Sequence, residues 1–467
     1  MRRKRLLLSS VLGGAALCLE GCSGGKPIDR PNVVLISIDT LRADHLPTYG
    51  YGRPTAPQID EFAREASVFD RCCAEASRTL PSHATLLTGL YPETHGMLSG
   101  RSVMAEELST FAEVLHDSGY RTGAFVNCSF FDPKFKLDQG FGTYDFFHEQ
   151  QKTLDGQPLG RSAERTNRDV FRWLDEAPDE PFFLFVHYYD VHSDWRRSPY
   201  ESPPEHRRRF EIEKPPGFEF GDGEVFASLY LRRRNERGMS YGRAETAYLR
   251  SLYDGGIAYT DEQSGALLRR LREMELMDRS IVILLSDHGE EFQDHGKLLH
   301  LQVYEELVRV PLAIRFPPDD RPASPARVPS LVQLGDIMPT VLDYLGIEPP
   351  ENLQGESFLP LLAGNGPGRQ YAYARNHDGS QYAIRDERWK LILHDTEQLE
   401  LELFDLDADP GETANLAGRQ DERVHALFSE LTRWRQEAFA ERPERMEESD
   451  LDEETLKRLE ALGYVGN

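Results

Sequence analysis

The chain has 467 residues, of which 39% are apolar and 10% aromatic, so it can bury a sizeable core and is not a wholly disordered chain. Its 79 acidic and 54 basic residues give a net charge of −25, and no basic patch of nucleic-acid size is evident, which argues against a nucleic-acid binder. So negative a protein repels anionic substrates at long range. Any anion site must therefore carry its own positive charge from a metal ion, an arginine or a histidine.

The N-terminus has the pattern of an export signal. Basic residues 2–5 precede a short apolar run, residues 6–19, which is too short to span a bilayer comfortably. The run ends before Cys22 in a sequence that resembles a bacterial lipobox, although Glu20 is atypical there. We expect lipid on Cys22 and an exported protein tethered to the cell envelope, at the periplasmic face or outer membrane. The alternative is cleavage without lipid, which would leave the protein periplasmic.

Three continuous apolar runs, residues 32–38, 182–186 and 281–285, predict strands that are buried on both faces of a parallel sheet. Helical patterns lie between them, such as residues 109–118 and 262–277. Strands that alternate with helices predict a doubly wound α/β sheet, in which ligands bind at the carboxyl ends of the strands.

Residues 195–241 are rich in Arg, Pro, Gly and Glu with little periodicity, which predicts a loop insertion over the site. After about residue 347 the pattern changes to antiparallel strands around turns, which predicts a smaller C-terminal α+β subdomain. The predicted organisation is a signal peptide with lipobox at 1–22, a linker at 23–30, a catalytic domain at 31–346, the C-terminal subdomain at 347–425 and a charged helical tail at 426–467.

Reactive side chains follow the predicted strands directly. Asp39 follows the first strand, and Asp287 and His288 follow the third. Two carboxylates and an imidazole at strand ends suit a hard or borderline divalent cation. A cation beside a hydroxyl lowers the pKa of that hydroxyl and makes it a nucleophile at neutral pH. The sequence therefore predicts a metal site at this edge of the sheet.

Three clusters, residues 38–45, 77–96 and 286–306, together resemble the sulfatase family of the alkaline phosphatase superfamily, and residues 353–357, 388–391 and 404–412 resemble that family's second domain. The match runs in the family's order from about residue 31 to 420. The resemblance implies an alkaline phosphatase-like fold, with a mostly parallel central sheet between helices and a smaller C-terminal α+β subdomain. It also implies hydrolysis of sulfuric or phosphoric esters with one divalent metal ion, calcium by family, with manganese, magnesium or zinc as alternatives.

The resemblance also implies roles for individual side chains. The implied metal ligands are Asp39, Thr79, Asp287 and His288; the implied catalytic residues are Thr79, His192, His187 and His83; and the implied substrate-binding residues are His300 and Asn127. His192 corresponds to the histidine that protonates the leaving oxygen. Because the unperturbed pKa of histidine lies near neutrality, its ring suits that task.

The chain departs from the family at the nucleophile. Most family sulfatases carry C-x-P-x-R or S-x-P-x-R, whose first residue matures to formylglycine, whereas this chain has Thr79 and His83 at the first and last positions. Threonine cannot be converted, so no formylglycine is expected. A threonine sulfate has no aldehyde route for release, whereas water can attack a threonine phosphate in line. The alternative is that Thr79 only caps a helix.

Three functions remain open from the sequence. The first is a metal-dependent hydrolase of sulfate or phosphate-type esters, acting on a sulfated or phosphorylated small molecule or glycan. The second is a phosphoryl or phosphoethanolamine transferase that acts on envelope glycans. The third is a sulfatase-like binding lipoprotein that kept the fold and lost turnover.

Overall fold

The computed structural model describes residues 30–147, 162–176, 180–193, 199–219, 227–318, 326–443 and 447–448. The predicted signal peptide, the lipidated Cys22 and nearly all of the linker lie outside these residues, as does most of the predicted charged tail. Among the described helices, none is both long enough and apolar enough to span a membrane.

The structure is a mixed α/β assembly. The strands are β1 Asn32–Ile38, β2 Ser67–Cys73, β3 Ser102–Val103, β4 Arg121–Asn127, β5 Thr143–Phe147, β6 Phe182–Tyr188, β7 Ser280–Leu285, β8 Glu291–Phe292, β9 Leu298–Leu299, β10 Arg309–Arg315, β11 Arg327–Gln333, β12 Ala372–Arg375, β13 Gln381–Arg385, β14 Trp389–His394, β15 Glu400–Asp405 and β16 Glu447–Glu448. The α-helices are α1 Pro57–Glu65, α2 Thr79–Thr88, α3 Pro92–His95, α4 Phe111–Asp117, α5 Ala163–Asp175, α6 Pro204–Arg207, α7 Ala227–Glu236, α8 Arg243–Glu273, α9 Glu305–Val308, α10 Ile337–Leu345, α11 Leu359–Leu362 and α12 Asp421–Ala440.

The central sheet has eight strands in the order β11-β2-β10-β7-β1-β6-β4-β5. In it, β10 runs antiparallel to both of its neighbours, and the other pairs are parallel. The central strand β1 is buried along its whole length. Its alternate residues pack into two cores: Val33 and Leu35 join one with α2, α4 and α10, and Val34 and Ile36 join the other with α1, α5 and α8. The predicted sheet between helices is confirmed.

The C-terminal subdomain is a four-stranded antiparallel sheet, β12-β13-β14-β15. The long helix α12 packs on it through Leu427, Leu431 and Trp434, against Ile384 and Leu391 of the sheet. This helix begins at Asp421 and therefore crosses the predicted boundary at residue 425. The sequence periodicity of α12 reflects an apolar face that the sheet covers, so this part of the predicted tail belongs to the subdomain.

Two predictions of local structure differ from the observed structure. The predicted loop insertion at 195–241 contains two helices, α6 and α7, in its described part. Helix α7 buries Ala227 and Leu231 in the core that also holds α8. Within the predicted helical tail at 426–467, residues 447–448 instead form a two-residue strand, β16, which pairs antiparallel with β3.

Candidate active site

The candidate site lies where β1 and β7 end side by side. These parallel neighbours pair with Ser37 opposite Leu285, so the residues that follow them meet at one edge of the sheet. Asp39, Asp287 and His288 are fully buried there, and their ligand atoms lie within 4.8 Å of one another. The structure thus brings together the three predicted strand-end ligands.

The backbone positions Asp287 and the turn that follows it. The Thr40 N–H donates to Asp287 Oδ1 at 3.3 Å, and Thr40 has a left-handed backbone with φ of 57°, which is rare for threonine. After Asp287 the chain passes close to α9, because a Cβ at Gly289 would overlap the carbonyl oxygen of Glu306. Glycine at this position therefore allows the turn that presents His288.

The side chains fit a divalent cation. Burial, then the charge of Asp39, raise the pKa of Asp287, and burial lowers the pKa of His288, so that its ring is neutral. His288 Nδ1 lies 2.9 Å from the carbonyl oxygen of Gly289 and donates to it, which leaves the lone pair on Nε2, 3.3 Å from Asp287 Oδ2. Within the described chain, Asp287 Oδ2 accepts no hydrogen bond. A cation would compensate these buried oxygens and accept the nitrogen lone pair.

Thr79 is the first residue of α2 and is almost completely buried. Its Oγ1 lies 3.3 Å from Asp39 Oδ2 and 3.4 Å from His288 Nε2. The N-cap residue of α2 is Arg78, so the Thr79 hydroxyl faces the carboxylate cluster and does not cap the helix. A helix N-terminus favours negative charge, which suits an alkoxide or a bound anion at this position.

His83 lies one turn further along α2 and hydrogen-bonds to the backbone of Thr79. Its Nδ1 donates to the Thr79 carbonyl oxygen at 2.8 Å, and its Nε2 accepts from Ser37 Oγ at 2.9 Å. Burial, with a smaller effect of His187, lowers the pKa of His83 well below its usual range. Both ring nitrogens are therefore used within the protein, which places His83 as a support for Thr79.

His187 contacts the carboxylate of Asp39, and Asn127 contacts the backbone of His187. His187 Nε2 is 3.2 Å from Asp39 Oδ2, and burial lowers the pKa of His187 to about 3, so the neutral ring donates to Asp39. The Asn127 amide donates to the His187 carbonyl oxygen at 2.6 Å and to Thr166 Oγ1 at 3.1 Å. The structure therefore places Asn127 among residues that position His187.

Three histidines form a row from the carboxylate cluster outward. The ring centroids of His288 and His300 are 4.7 Å apart, and those of His300 and His192 are 5.2 Å apart. Burial is the main cause that lowers the pKa of His192 and His300 well below the usual range. The predicted proton donor and the predicted oxyanion contact thus lie side by side, next to a candidate metal ligand.

Arg78 is a site residue to which the sequence analysis assigned no role. Only 6% of its surface is exposed, and its positive charge contributes to the lowered pKa of His192, His288 and His300. This buried cation meets the requirement for local positive charge at an anion site in a protein of net charge −25. Its position directly before Thr79 was the available sequence signal.

Comparison with protein families decides the family to which this chain belongs. The family profile described as Sulfatase matches residues 31–347, and the profile described as N-sulphoglucosamine sulphohydrolase, C-terminal, matches residues 294–437. The chain belongs to the sulfatase family. The similarity implied by the sequence clusters is therefore confirmed at the level of the family. Sulfatases hydrolyse sulfate esters and depend on a metal ion, so this protein is a sulfatase-family ester hydrolase.

Individual relatives are distant but cover most of this sulfatase-family chain. It is 25% identical to N-acetylglucosamine-6-O-sulfatase of Bacteroides thetaiotaomicron, across 87% of this chain and 86% of that protein. It is 25% identical to arylsulfatase K of Mus musculus, across 91% of this chain and 84% of that protein. These comparisons give no support to a transferase or to an inactive binding protein.

Solved structures show the same fold. A protein solved in complex with its substrate D-glucosamine-2-N,6-O-disulfate superimposes with a TM-score of 0.71 at 22% identity, covering 88% of this chain and 98% of that chain. Phosphonate monoester hydrolase of Agrobacterium radiobacter gives a TM-score of 0.70 at 24% identity, covering 88% and 96%. At these identities the likeness establishes the architecture of the sulfatase-family chain.

Proposed function

We propose that this sulfatase-family protein hydrolyses esters of a sulfated or phosphorylated small molecule or glycan with Thr79, at the family's formylglycine position, as its nucleophile. The observation that carries the proposal is the placement of Thr79 Oγ1, 3.3 Å from Asp39 Oδ2 and 3.4 Å from His288 Nε2 at the start of α2. In this position the hydroxyl shares the buried carboxylate cluster and faces the row of histidines.

Asp39, Asp287 and His288, with Thr79 Oγ1, would hold one divalent cation. Calcium is our first choice from the family, and manganese, magnesium and zinc suit the mixed oxygen and nitrogen donors as well. A bound cation lowers the pKa of a coordinated hydroxyl and offsets negative charge on a phosphoryl or sulfuryl group.

The protein's own groups account for the proton transfers. Asp39 Oδ2 accepts the Thr79 proton as the O–P or O–S bond to Thr79 forms and the bond to the leaving oxygen breaks. His192 donates a proton to that leaving oxygen, and Arg78 and His300 bind the oxygens of the anion. The rings of His192 and His300 are neutral in the structure, but a bound anion raises the pKa of a nearby imidazole. We therefore expect substrate binding to favour the protonated His192 that the step requires.

The second half of the reaction distinguishes phosphorus from sulfur. Water attacks phosphorus in the Thr79 phosphate and gives a proton to His192, the Thr79 O–P bond breaks, Thr79 regains its proton from Asp39, and phosphate leaves. A Thr79 sulfate lacks the aldehyde route by which formylglycine expels sulfate. We therefore expect phosphorus esters to be favoured more than is usual in the family.

The deciding experiment is a panel of aryl sulfate, phosphate monoester, phosphodiester and phosphonate esters with calcium, manganese, magnesium and zinc. Thr79→Ala should lower kcat by about 10³ or more, because it deletes the nucleophile. Thr88→Ala is the matched control, because its hydroxyl bonds to Ala84 at the far end of the same buried helix. After reaction with a slowly hydrolysed phosphorus ester, mass spectrometry of the peptide that contains Thr79 should show a covalent adduct.

Two outcomes would count against this proposal. A loss of about tenfold or less in Thr79→Ala would mean that water attacks directly and that Thr79 is only a ligand. If aryl sulfates react faster than every phosphorus ester, the argument from threonine chemistry fails.

For localisation, we propose export and lipidation of Cys22. Support comes from basic residues 2–5, the short apolar run at 6–19 and the junction at Cys22. Mass spectrometry of the mature N-terminus tests this. A mature chain that begins with a free amine at any other residue would exclude the lipid anchor.

A further inference from the structure

A turn of the C-terminal subdomain reaches the candidate active site. The turn, residues 376–380, joins β12 to β13. Directly before the turn, the Arg375 carbonyl oxygen accepts from the Ser77 N–H at 3.2 Å, two residues before Thr79. At the first residue of the turn, Asn376 Nδ2 donates to the Leu301 carbonyl oxygen at 3.1 Å, directly after His300. The turn is therefore fixed between the segment that carries the nucleophile and the segment that carries His300.

His377 is the side chain that this turn places beside the site. Its Nδ1 is buried and makes no hydrogen bond to any residue in the described part of the chain, while the side chain as a whole is 30% exposed. Burial, then the charge of Arg78, lower the pKa of His377 to about 3, so the ring is neutral, and His377 in turn acts electrostatically on His300. A neutral imidazole both donates and accepts a hydrogen bond, which suits a hydroxyl group.

The turn does not need the His377 ring for its own structure. Asp378 Oδ1 accepts from the Ser380 N–H at 2.9 Å, and Asn376 Oδ1 accepts from the Gln381 N–H at 3.0 Å. The side chains of Asn376 and Asp378 thus stabilise the turn. His377 Nε2 lies 3.8 Å from Asp378 Oδ2, and the buried Nδ1 remains available to a ligand.

We propose that His377 binds a hydroxyl group of the substrate's alcohol portion, next to the anion at Arg78, so that the turn 376–380 selects sugar esters over aryl esters. This inference rests on the proposed function, since it needs an ester bound at Thr79. It assigns the C-terminal subdomain a role in substrate recognition. A site built to pair with a substrate hydroxyl discriminates against analogues that lack it, because the buried polar atom then stays unpaired.

The test compares two kinds of ester in the full-length protein with its metal ion. The sugar probes are N-acetylglucosamine 6-sulfate and 6-phosphate, and the aryl probes are p-nitrophenyl sulfate and phosphate. His377→Ala should lower kcat/KM for the sugar probes about tenfold or more and for the aryl probes less than about twofold. His377→Asn should restore part of the difference, since an amide also donates and accepts. His425→Ala, an exposed histidine on α12 of the same subdomain, is the matched control.

The outcomes separate the two proposals. If the wild-type protein cleaves none of the panel esters, the proposed function fails. If it cleaves aryl esters but no sugar ester, or if His377→Ala lowers both classes equally at unchanged Tm, the proposed function stands and the role of His377 is overturned. A fall in Tm of His377→Ala without the change in ester preference, repeated in His377→Asn, would also overturn it, because the residue would then be structural.

Discussion

The ammonium nitrogen of Lys390 lies 2.9 Å from Oε1 of Glu412, and both side chains are almost completely buried. Lys390 Nζ is also 3.1 Å from Oε1 of Glu305, which pairs with Arg385 at 2.6 Å. Glu305 begins α9 in the catalytic domain, whereas Lys390 and Arg385 lie in the C-terminal sheet. This buried ion cluster therefore joins the two parts of the molecule, and Lys390 and Glu412 of the second-domain sequence clusters belong to it.

Lys390→Met should destabilise the protein by about 3–5 kcal/mol, because it leaves buried carboxylates without their cation. Urea unfolding, followed by circular dichroism, measures this loss. Lys297→Met, at an exposed lysine, should change the free energy of unfolding by less than about 0.5 kcal/mol. A loss below about 1 kcal/mol in Lys390→Met would show that the cluster contributes little.

The stability of the fold should depend on pH through His295. Burial alone would lower its pKa, but its hydrogen bond to Glu306 Oε1 at 2.7 Å and the charge of that carboxylate raise the pKa of His295 to about 9. Because the folded pKa is above the unfolded value near 6.5, the contribution is fully present below pH 6.5 and is lost as the pH rises through 9. His295→Gln should therefore cost about 1–2 kcal/mol more at pH 6 than at pH 9.5. A difference that is the same at both pH values would contradict this.

Asp287→Asn should lower metal affinity by more than the ~10–100-fold that is typical for loss of an outer-shell partner, because it removes a charged ligand. Elemental analysis of purified protein measures the metal content. The cation should raise the Tm of the wild type, since it binds only the folded state, but should not raise the Tm of the variant. Asp261→Asn, at a buried carboxyl that accepts from the Ile59 N–H, should keep its metal. Full metal content in Asp287→Asn would refute the site.

Arg78→Met should weaken competitive inhibition by inorganic phosphate at least about tenfold, because it removes a charge-assisted hydrogen-bond donor. The pKa values of His192 and His300 should rise in the same variant, since the charge of Arg78 lowers both. Inhibition kinetics and NMR titration of the histidines give the two readouts. Arg64→Met, at an exposed arginine of α1, should change neither. An unchanged inhibition constant in Arg78→Met would exclude Arg78 from the anion site.

The sequence by itself determined the central strands and the residues that follow them. Apolar β-branched runs are local signals, and the predicted run at 32–38 coincides with β1. Asp39 and the Asp287-His288 pair were found because parallel strands end at a common edge, so strand position alone brings them together. Helix α8 was predicted only from residue 262, although it begins at Arg243, because its middle is buried on all sides and shows no amphipathic period.

Only the tertiary structure decided which other side chains reach the site. In the row of three histidines, the contact between His300 and His192 joins residues more than 100 positions apart in the sequence, and no local pattern encodes that contact. The same holds for Arg78 beside these rings and for His377, which a turn of a separate sheet supplies. Such contacts depend on strand register and on the packing of the C-terminal sheet. These contacts form when residues distant in the sequence are buried together. They can therefore be read only from the complete fold and not from any local stretch of sequence.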